Sequence, residues 1–511
     1  MILILFSLFG ALGILFCSNY YYSNPLSNDN ENLKTQSSSI NYSNATIISD
    51  GFNNSYWNDG NSFLPAIAVD SKGNIHAVWY DYTNGKWGTD SEIMHAKFDP
   101  STGWSNITVI SDGYNGSYWN DDNSYNPAIA IDSQDNIHVV WHDNTNGVWG
   151  IDTEIMYVKY SPSMGWSNVT VISDGYNGSY WNDGNSYYPN IAVDSQGNVH
   201  VVWQDYTDGV WGTDTEIMYV KYSPSTGWSN VTIISDGYGG SYWNDGNSYF
   251  PDIAIDSRDN VHVVWYDNTD GAWGTDLEIM HVQYDPSMGW SNASIVSDLH
   301  NFMVWNDGSS VYPSIYIDSQ DTCHIVWQDD TDTLLGVDIE IMYSYLTPSG
   351  EWSFPEIISD GYNNTSWNDG NSNAPSIAGD VEGKLFVVWH DGTDDKWGTD
   401  LEIMFVLRDP LTGWSNVTVI SDGFGGSYWN VGSSYYADIA VIPNGNVHVV
   451  WYDLTDGKWG IDNEIMHVEI ENQYKQSTGV IIPLGNYYII YLIVILSILL
   501  ALTNKKIKRI I

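Results

Sequence analysis

Tyr188-Pro-Asn-Ile-Ala-Val-Asp-Ser-Gln-Gly-Asn-Val-His-Val-Val-Trp-Gln204 contains two short β-prone runs on either side of a turn. Tyr188 to Asp194 gives a first strand, a. Ser195 to Asn198 is turn chemistry. Val199 to Gln204 is β-branched and aromatic and gives strand b. A loop follows from Asp205 to Thr215. Glu216-Ile-Met-Tyr-Val-Lys-Tyr222 is strand c. Ser223 to Trp228 is a tight connection, and Asn230 to Ser235 is strand d. No segment shows helical periodicity.

This unit recurs seven times without insertion or deletion. The Asp of its Ser-Asp-Gly/Leu signature falls at Asp50, Asp112, Asp174, Asp236, Asp298, Asp360 and Asp422, a period of 62 residues. All 26 Trp fall into four positions of the repeat. Four strands per unit, repeated radially, describe a β-propeller blade. The expected fold is therefore an all-β, seven-bladed β-propeller over residues 44–470. The chain ends support closure into a ring. Ala45 to Ser49 is a d strand with no a, b or c before it, and the last copy stops after its c strand, Glu464 to Ile470. Pairing the two completes the last blade and removes two exposed edges. In this arrangement the d–a and b–c loops share one face and the short turns share the other.

The flanks suggest a membrane protein. Residues 1–18 hold an uncharged apolar run and read as a signal peptide or N-terminal anchor. Residues 19–43 are a polar linker and 471–479 a second one. Residues 480–502 are charge-free and long enough to span a bilayer as a C-terminal transmembrane helix, and Lys505, Lys506, Lys508 and Arg509 follow in a basic tail, 503–511. Positive charge marks the cytoplasmic side. The expected location is the cell membrane, single-pass, with the propeller extracellular. Twelve Asn-x-Ser/Thr sequons, from Asn41 to Asn416, agree with a glycosylated exterior. Both linkers leave from the short-turn face, so the long loops point away from the cell.

The chain carries 16 Lys+Arg against 63 Asp+Glu, a formal charge of −47. Nucleic acid is excluded as a partner, since phosphate binding needs a basic surface. Only Cys17 and Cys323 are present, so the repeats hold no internal disulfide.

The run Pro189 to Trp203, then Glu216-Ile-Met and the Ser/Asp-Pro-Ser-x-Gly-Trp turn, resembles the Asp-box (BNR) repeats of the sialidase-like propeller superfamily. The resemblance covers all seven copies. The turn Ser161-Pro-Ser-Met-Gly-Trp166 is shorter than the family box and lacks its central Asp. The resemblance implies a propeller fold and, for sialidases, three Arg holding the substrate carboxylate. This chain has three Arg in all: Arg258, Arg408 and Arg509. Sequence spacing puts no two of them in one pocket, so a non-catalytic cell-surface member is expected.

Two loops carry candidate sites. The b–c loop keeps Asp-x-Thr-x-x-x-x-Gly-x-Asp-x-Glu in every copy, for example Asp205/Asp214/Glu216 and Asp267/Asp276/Glu278. Three carboxylates within twelve residues suit Ca²⁺ as a ligand set. The same residues also suit Asx-turns and pairing with a neighbouring blade. The d–a loop carries Trp-Asn-Asp-Gly-Asn-Ser, including Asn182 and Asp183. A second loop Trp recurs as Trp87, Trp149, Trp211, Trp273, Trp397 and Trp459. Aromatic faces beside Asn and Asp suit sugar rings, and serve equally in blade packing. The strand-b His series is interrupted by Phe386, which fills space but cannot bind metal, so these His read as structural. The expected role is recognition or scaffolding through a glycan or surface-protein ligand. The alternatives are a sialidase-like or other glycoside-processing enzyme and a purely structural envelope protein.

Overall fold

The computed structural model describes residues 40–471 apart from loop segments 51–57, 59, 86–87, 113–119, 121, 148–149, 175–181, 183, 210–211, 237–243, 245, 270–274, 301–302, 305, 307, 332–337, 361–369, 394–398, 423–429, 431 and 457–460. These residues form seven antiparallel blade sheets, six of five strands and the fifth of four, beside a two-stranded sheet of Leu299–His300 with Met303–Val304. In the third, strand a is Ser186–Val193, strand b Val199–Asp205 and strand c Glu216–Ser223. The outer strand d is broken into Gly227–Trp228 and Thr232–Ile233, both paired with strand c. Among the described residues there is no helix, so none is long and apolar enough to cross a membrane. Residues 480–502 lie outside the described residues, and so do residues 1–39.

The ring closes as the chain ends predict. Asn41 and Tyr42 pair with Glu471 and Ile470, and Thr46 and Ile47 pair with His467 and Met466. The N-terminal segment is thus the broken d strand of the seventh blade, its pairing starting at Asn41.

Packing explains the strand types. Strand b is buried on both faces along its whole length, because each blade is sandwiched between two others. That placement selects a continuous β-branched and aromatic run rather than alternation. The core therefore lies between blades. Val140, Ile155 and Tyr157 of one blade pack with Ile191, Val201, Trp203 and Met218 of the next. Trp203 and its six equivalents are fully buried.

The a–b turn is held by its own Asp. Asp194 Oδ1 accepts the backbone N–H groups of Gln196 and Asn198 at 2.9 and 2.8 Å, and Oδ2 accepts Asn198 Nδ2 at 2.6 Å. The strand-b histidine joins it. His200 Nε2 lies 3.2 Å from Asp194 Oδ2, and its Nδ1 lies 2.7 Å from the Tyr219 hydroxyl. Both ring nitrogens of His200 are thus engaged within the fold.

Loss of one interblade Trp should be costly. Trp203→Ala is expected to destabilise the fold by about 3–5 kcal/mol, the usual range for emptying a buried Trp site. The check is the urea midpoint of the purified protein, and a cost below about 1 kcal/mol contradicts this packing.

Candidate functional site

Strand a of the third blade contains a proline that cannot donate to the ladder, and a bulge accommodates it. The register slips there between Tyr187 and Asn190. The residue before the proline lies at positive φ, and its equivalents do the same in every blade. Leu64, Asn126, Tyr188, Phe250, Tyr312, Ala374 and Tyr436 all fall between 44 and 53°. Tyr436 keeps the conformation although Ala437 stands in the proline position, so the bulge belongs to the blade and not to proline alone. Only Asn is at ease at such φ. Holding the other residue types there costs on the order of 1–3 kcal/mol each. The seven bulges surround a central funnel of about 680 Å³ at the start of the inner strands, on the face of the long loops.

The sevenfold repetition breaks in this funnel. Four bulge positions are aromatic and three are Leu, Asn and Ala. Neighbouring aromatics are in contact: ring centroids of Tyr188 and Phe250 are 4.0 Å apart, and Phe250 meets Tyr312 edge-on at 4.7 Å. Tyr436 stacks on Tyr452. Two residues further along strand a, the copies carry Ala66, Ala128, Asn190, Asp252, Ser314, Ser376 and Asp438, all lining the funnel. Asp252 Oδ1 accepts Asn190 Nδ2 at 2.6 Å and the Ile253 N–H at 2.8 Å; Oδ2 accepts the Ile315 N–H at 2.8 Å. Asp438 accepts Ser376 Oγ at 2.9 Å and the N–H groups of Ile439 and Ile67. Burial pushes the Asp252 carboxyl up to about 6, and the charge of Asp438 adds to the shift. Burial raises Asp438 as well. Neither Asp was singled out from the sequence. The signal was present as a column that changes chemistry inside a near-identical repeat.

The loop carboxylates separate into two roles. Asp205 ends strand b and is fully buried. Its Oδ2 accepts Trp203 Nε1 at 2.8 Å, Asn182 Nδ2 at 2.9 Å and Ser186 Oγ at 2.7 Å, and its Oδ1 accepts the Thr207 N–H at 2.9 Å. Asp267 repeats this with Trp265, Asn244, Ser248 and Thr269. Asn182 is interior too. Its Oδ1 accepts the Gly184 N–H and the Thr207 hydroxyl, so its amide is engaged within the fold at both ends. Glu216 lies opposite Asp205 in the b–c pair. It is fully buried, with Oε2 accepting the Ser235 hydroxyl and Oε1 unpartnered. Burial pushes Glu216 up to about 9, with Asp214 and Asp236 adding to the shift. Glu278, beside Asp276 and Asp298, is raised alike. Asp183 and the loop residues Trp87, Trp149, Trp211, Trp273, Trp397 and Trp459 lie outside the described residues.

The two described arginines stand apart from the funnel. Arg258 is bonded to Asp256 in an a–b turn at 2.8 Å, and Arg408 lies over the Tyr343 ring. No Arg, Lys or His is among the described residues lining the funnel. Among the described residues there is one soft-ligand group: a ring nitrogen of His262, one of His281 and the thiol of Cys323 lie within 4.8 Å of one another. Burial holds that thiol protonated. Cys323 occupies a core position that is Ile, Val or Leu in the other copies.

No protein-family model matches the chain, and no curated protein does. Solved structures match its fold. An ulvan lyase of a new polysaccharide lyase family, bound to -[GlcA(1-4)Rha3S]-, is 10% identical with a TM-score of 0.51, over 80% of this chain and 94% of that one. The polysaccharide lyase Uly1 is 12% identical with a TM-score of 0.48, over 84% and 99%. The NanB sialidase of Streptococcus pneumoniae, in complex with a substituted ethanesulfonate, is 12% identical with a TM-score of 0.39, over 84% and 70%. The neighbours are sialidase-like and polysaccharide lyase propellers, and at these identities the likeness shows the fold alone.

The raised glutamates set a pH dependence. A carboxyl whose folded pKa lies near 9 and whose unfolded pKa lies near 4.5 contributes stability that is complete below 4.5 and lost as pH rises through 9. The buried His76, lowered to about 4 by desolvation, acts at the other end: its contribution is complete above about 6.5 and is lost as pH falls through 4. In chelator, the melting temperature should therefore peak between about pH 5 and 7 and fall toward pH 9. A melting temperature that stays level from about pH 6 to 9 contradicts this.

Proposed function

We propose that the chain is a membrane-anchored cell-surface propeller that recognises a glycan in its central funnel. The observation that carries this reading is the break in sevenfold symmetry there. Four aromatic side chains occupy positions that cost backbone strain, and two carboxyl groups face the same space. Aromatic faces pack on the C–H faces of sugar rings, and carboxyl groups accept from their hydroxyls. A funnel of about 680 Å³ suits a short stretch of oligosaccharide. Its lining bears carboxyls and no basic group among the described residues, and the whole chain carries −47. That balance disfavours sialic acid and uronates and favours neutral or amino sugars. The funnel opens on the long-loop face, which points away from the membrane if residues 480–502 span it. The ulvan lyase of like fold is bound to a saccharide, which agrees with a carbohydrate role without assigning one.

The test is a glycan array probed with the purified chain, followed by titration of the best binders. Neutral or amino glycans should bind, and Tyr188→Ala or Tyr436→Ala should weaken binding at least about tenfold, equivalent to losing about 1.4 kcal/mol. Binding that survives both substitutions but is lost with Trp211→Ala places the ligand on the loops instead. Turnover of a bound glycan, abolished by Asp252→Asn or Asp438→Asn, converts the reading to a glycoside-processing enzyme.

A further inference from the structure

The second residue of strand b meets a side chain of strand c in every blade, and the pairing differs between blades. In the second, third and fifth it is His on Tyr: His138 on Tyr157, His200 on Tyr219 and His324 on Tyr343. In the sixth it is Phe386 on Phe405. In the first, fourth and seventh it is His on His. There the Nδ1 atoms of His76, His262 and His448 lie 3.0, 3.0 and 2.9 Å from Nε2 of His95, His281 and His467. The first residue of strand b in the following blade is Ile137 after the first pair, Ile75 after the seventh and Cys323 after the fourth. Cys323 belongs to the same core cluster as Val264 and Ile279 of the fourth blade. Two imidazoles and a thiol therefore converge at this one interface. A ring nitrogen of each His and the Cys323 Sγ lie within 4.8 Å of one another, and the three residues are 5, 4 and 1% exposed.

Packing alone does not call for this combination. The thiol stands where the other copies carry an aliphatic side chain, and His281 lacks the hydroxyl that Tyr supplies elsewhere. His262 Nε2 is buried 3.8 Å from Asp256 Oδ2 without a hydrogen bond, whereas His200 Nε2 reaches Asp194 Oδ2 at 3.2 Å. A buried polar atom left unpaired asks for an explanation. We propose that His262, His281 and Cys323 bind one thiophilic d¹⁰ cation, Cu⁺ or Zn²⁺, between the fourth and fifth blades. Imidazole and thiolate are the ligands such ions take. Two nitrogens bound about 2.0–2.1 Å from a tetrahedral ion stand roughly 3.3 Å apart, so the facing rings need part by only a few tenths of an ångström. A nitrogen and a sulfur ligand stand roughly 3.6 Å apart, so the thiol closes by at most about 1.2 Å. The ion displaces the thiol proton to solvent, and Cys323 enters as thiolate. Of the two facing nitrogens one carries a proton, which tautomer exchange moves to the far side of its ring. A ligating His commonly turns its other N–H to a carboxylate, and Asp256 stands beside His262 Nε2 for that purpose. Burial, with His262 alongside, holds His281 well below its ordinary value, so its ring is neutral and free to ligate. The ion joins two blades of a ring whose repeats contain a single Cys and hence no disulfide. It sits at the edge of the fifth blade, the one with four strands.

The experiment uses the full chain purified in detergent, stripped with chelator under reductant, loaded separately with Zn²⁺ and with Cu⁺, and desalted. Elemental analysis should find one ion per chain, and the melting temperature should rise, as it does for any ligand that binds only the native state. Co²⁺ in place of Zn²⁺ should give a thiolate-to-metal charge-transfer band in the near ultraviolet. The variants borrow residues that other blades carry at the same positions, so the fold accommodates them. Cys323→Val copies Val199 and Val261, and His281→Tyr copies Tyr157 and Tyr219. Each should lose the ion and the Co²⁺ band and leave the far-UV circular dichroism unchanged. His95→Tyr alters a His pair with no thiol beside it and should keep the ion, as should Cys17→Ser. Retention of either ion on these terms supports the proposal and identifies the occupant. Retention of neither would overturn it. So would an ion that Cys323→Val still holds, or a Co²⁺ complex without the thiolate band.

Discussion

The carboxylate that ends strand b organises each blade. Asp205 gathers the indole N–H of Trp203, the amide of Asn182, the hydroxyl of Ser186 and the backbone N–H of Thr207. Those donors come from strand b itself, the d–a loop, the first residue of strand a and the b–c loop. One buried carboxyl group thus ties separate stretches of chain to one point at the long-loop end of the blade. Losing the acceptor leaves several buried donors unpaired. The same arrangement recurs at Asp81, Asp143, Asp267, Asp329 and Asp453, with Asn58, Asn120, Asn244, Asn306 and Asn430 as the amide donors. At Asp391 the Trp, Ser and Thr donors are in place. This network accounts for the joint repetition of Trp-x-Asp-x-Thr and Asn-x-x-x-Ser, two motifs that are far apart in sequence.

Once the rigid ends are fixed, the fold has freedom only in what points inward from strand a and outward from the loops. The funnel uses the inward freedom. The bulge beside Pro189 turns residue 188 toward the axis, and the residue type there varies from copy to copy. The structural constraint is identical in seven blades, while the chemistry displayed on it is not. Asp252 and Asp438 are part of this difference. Each also bridges to the next blade through the N–H of Ile315 or Ile67, so the groups that break the symmetry also help hold the ring together.

Much of this was legible in the sequence, for reasons that can be located. A 62-residue period, four β-prone runs and an orphan d strand at the N-terminus led to a closed seven-bladed ring, and Asn41 to Ile47 pairs with the last c strand accordingly. The d strand was read as continuous from Asn230 to Ser235, but it is split into two short pieces. Gly227 lies at positive φ in a tight turn, so Gly227–Trp228 pairs before the chain has straightened. The carboxylates of the b–c loop were harder. Spacing grouped Asp205 with Asp214 and Glu216, whereas only three-dimensional contact shows that Asp205 is saturated by donors and that Asp236, far along the chain from Glu216, bears on the same glutamate. Asp252 and Asp438 escaped because reading a repeat means looking for what is kept, and these residues matter by differing.

The most direct measurement of the central constraint is hydrogen exchange at the tryptophan indole N–H groups, read by NMR on the Trp-¹⁵N-labelled protein. If buried carboxylates pin every blade, seven indole protons should persist in deuterated buffer as long as the core amides, and replacing Asp205 by Asn should release one of them. Exchange of all indole protons within minutes, in a protein whose strand amides stay protected, would contradict the account.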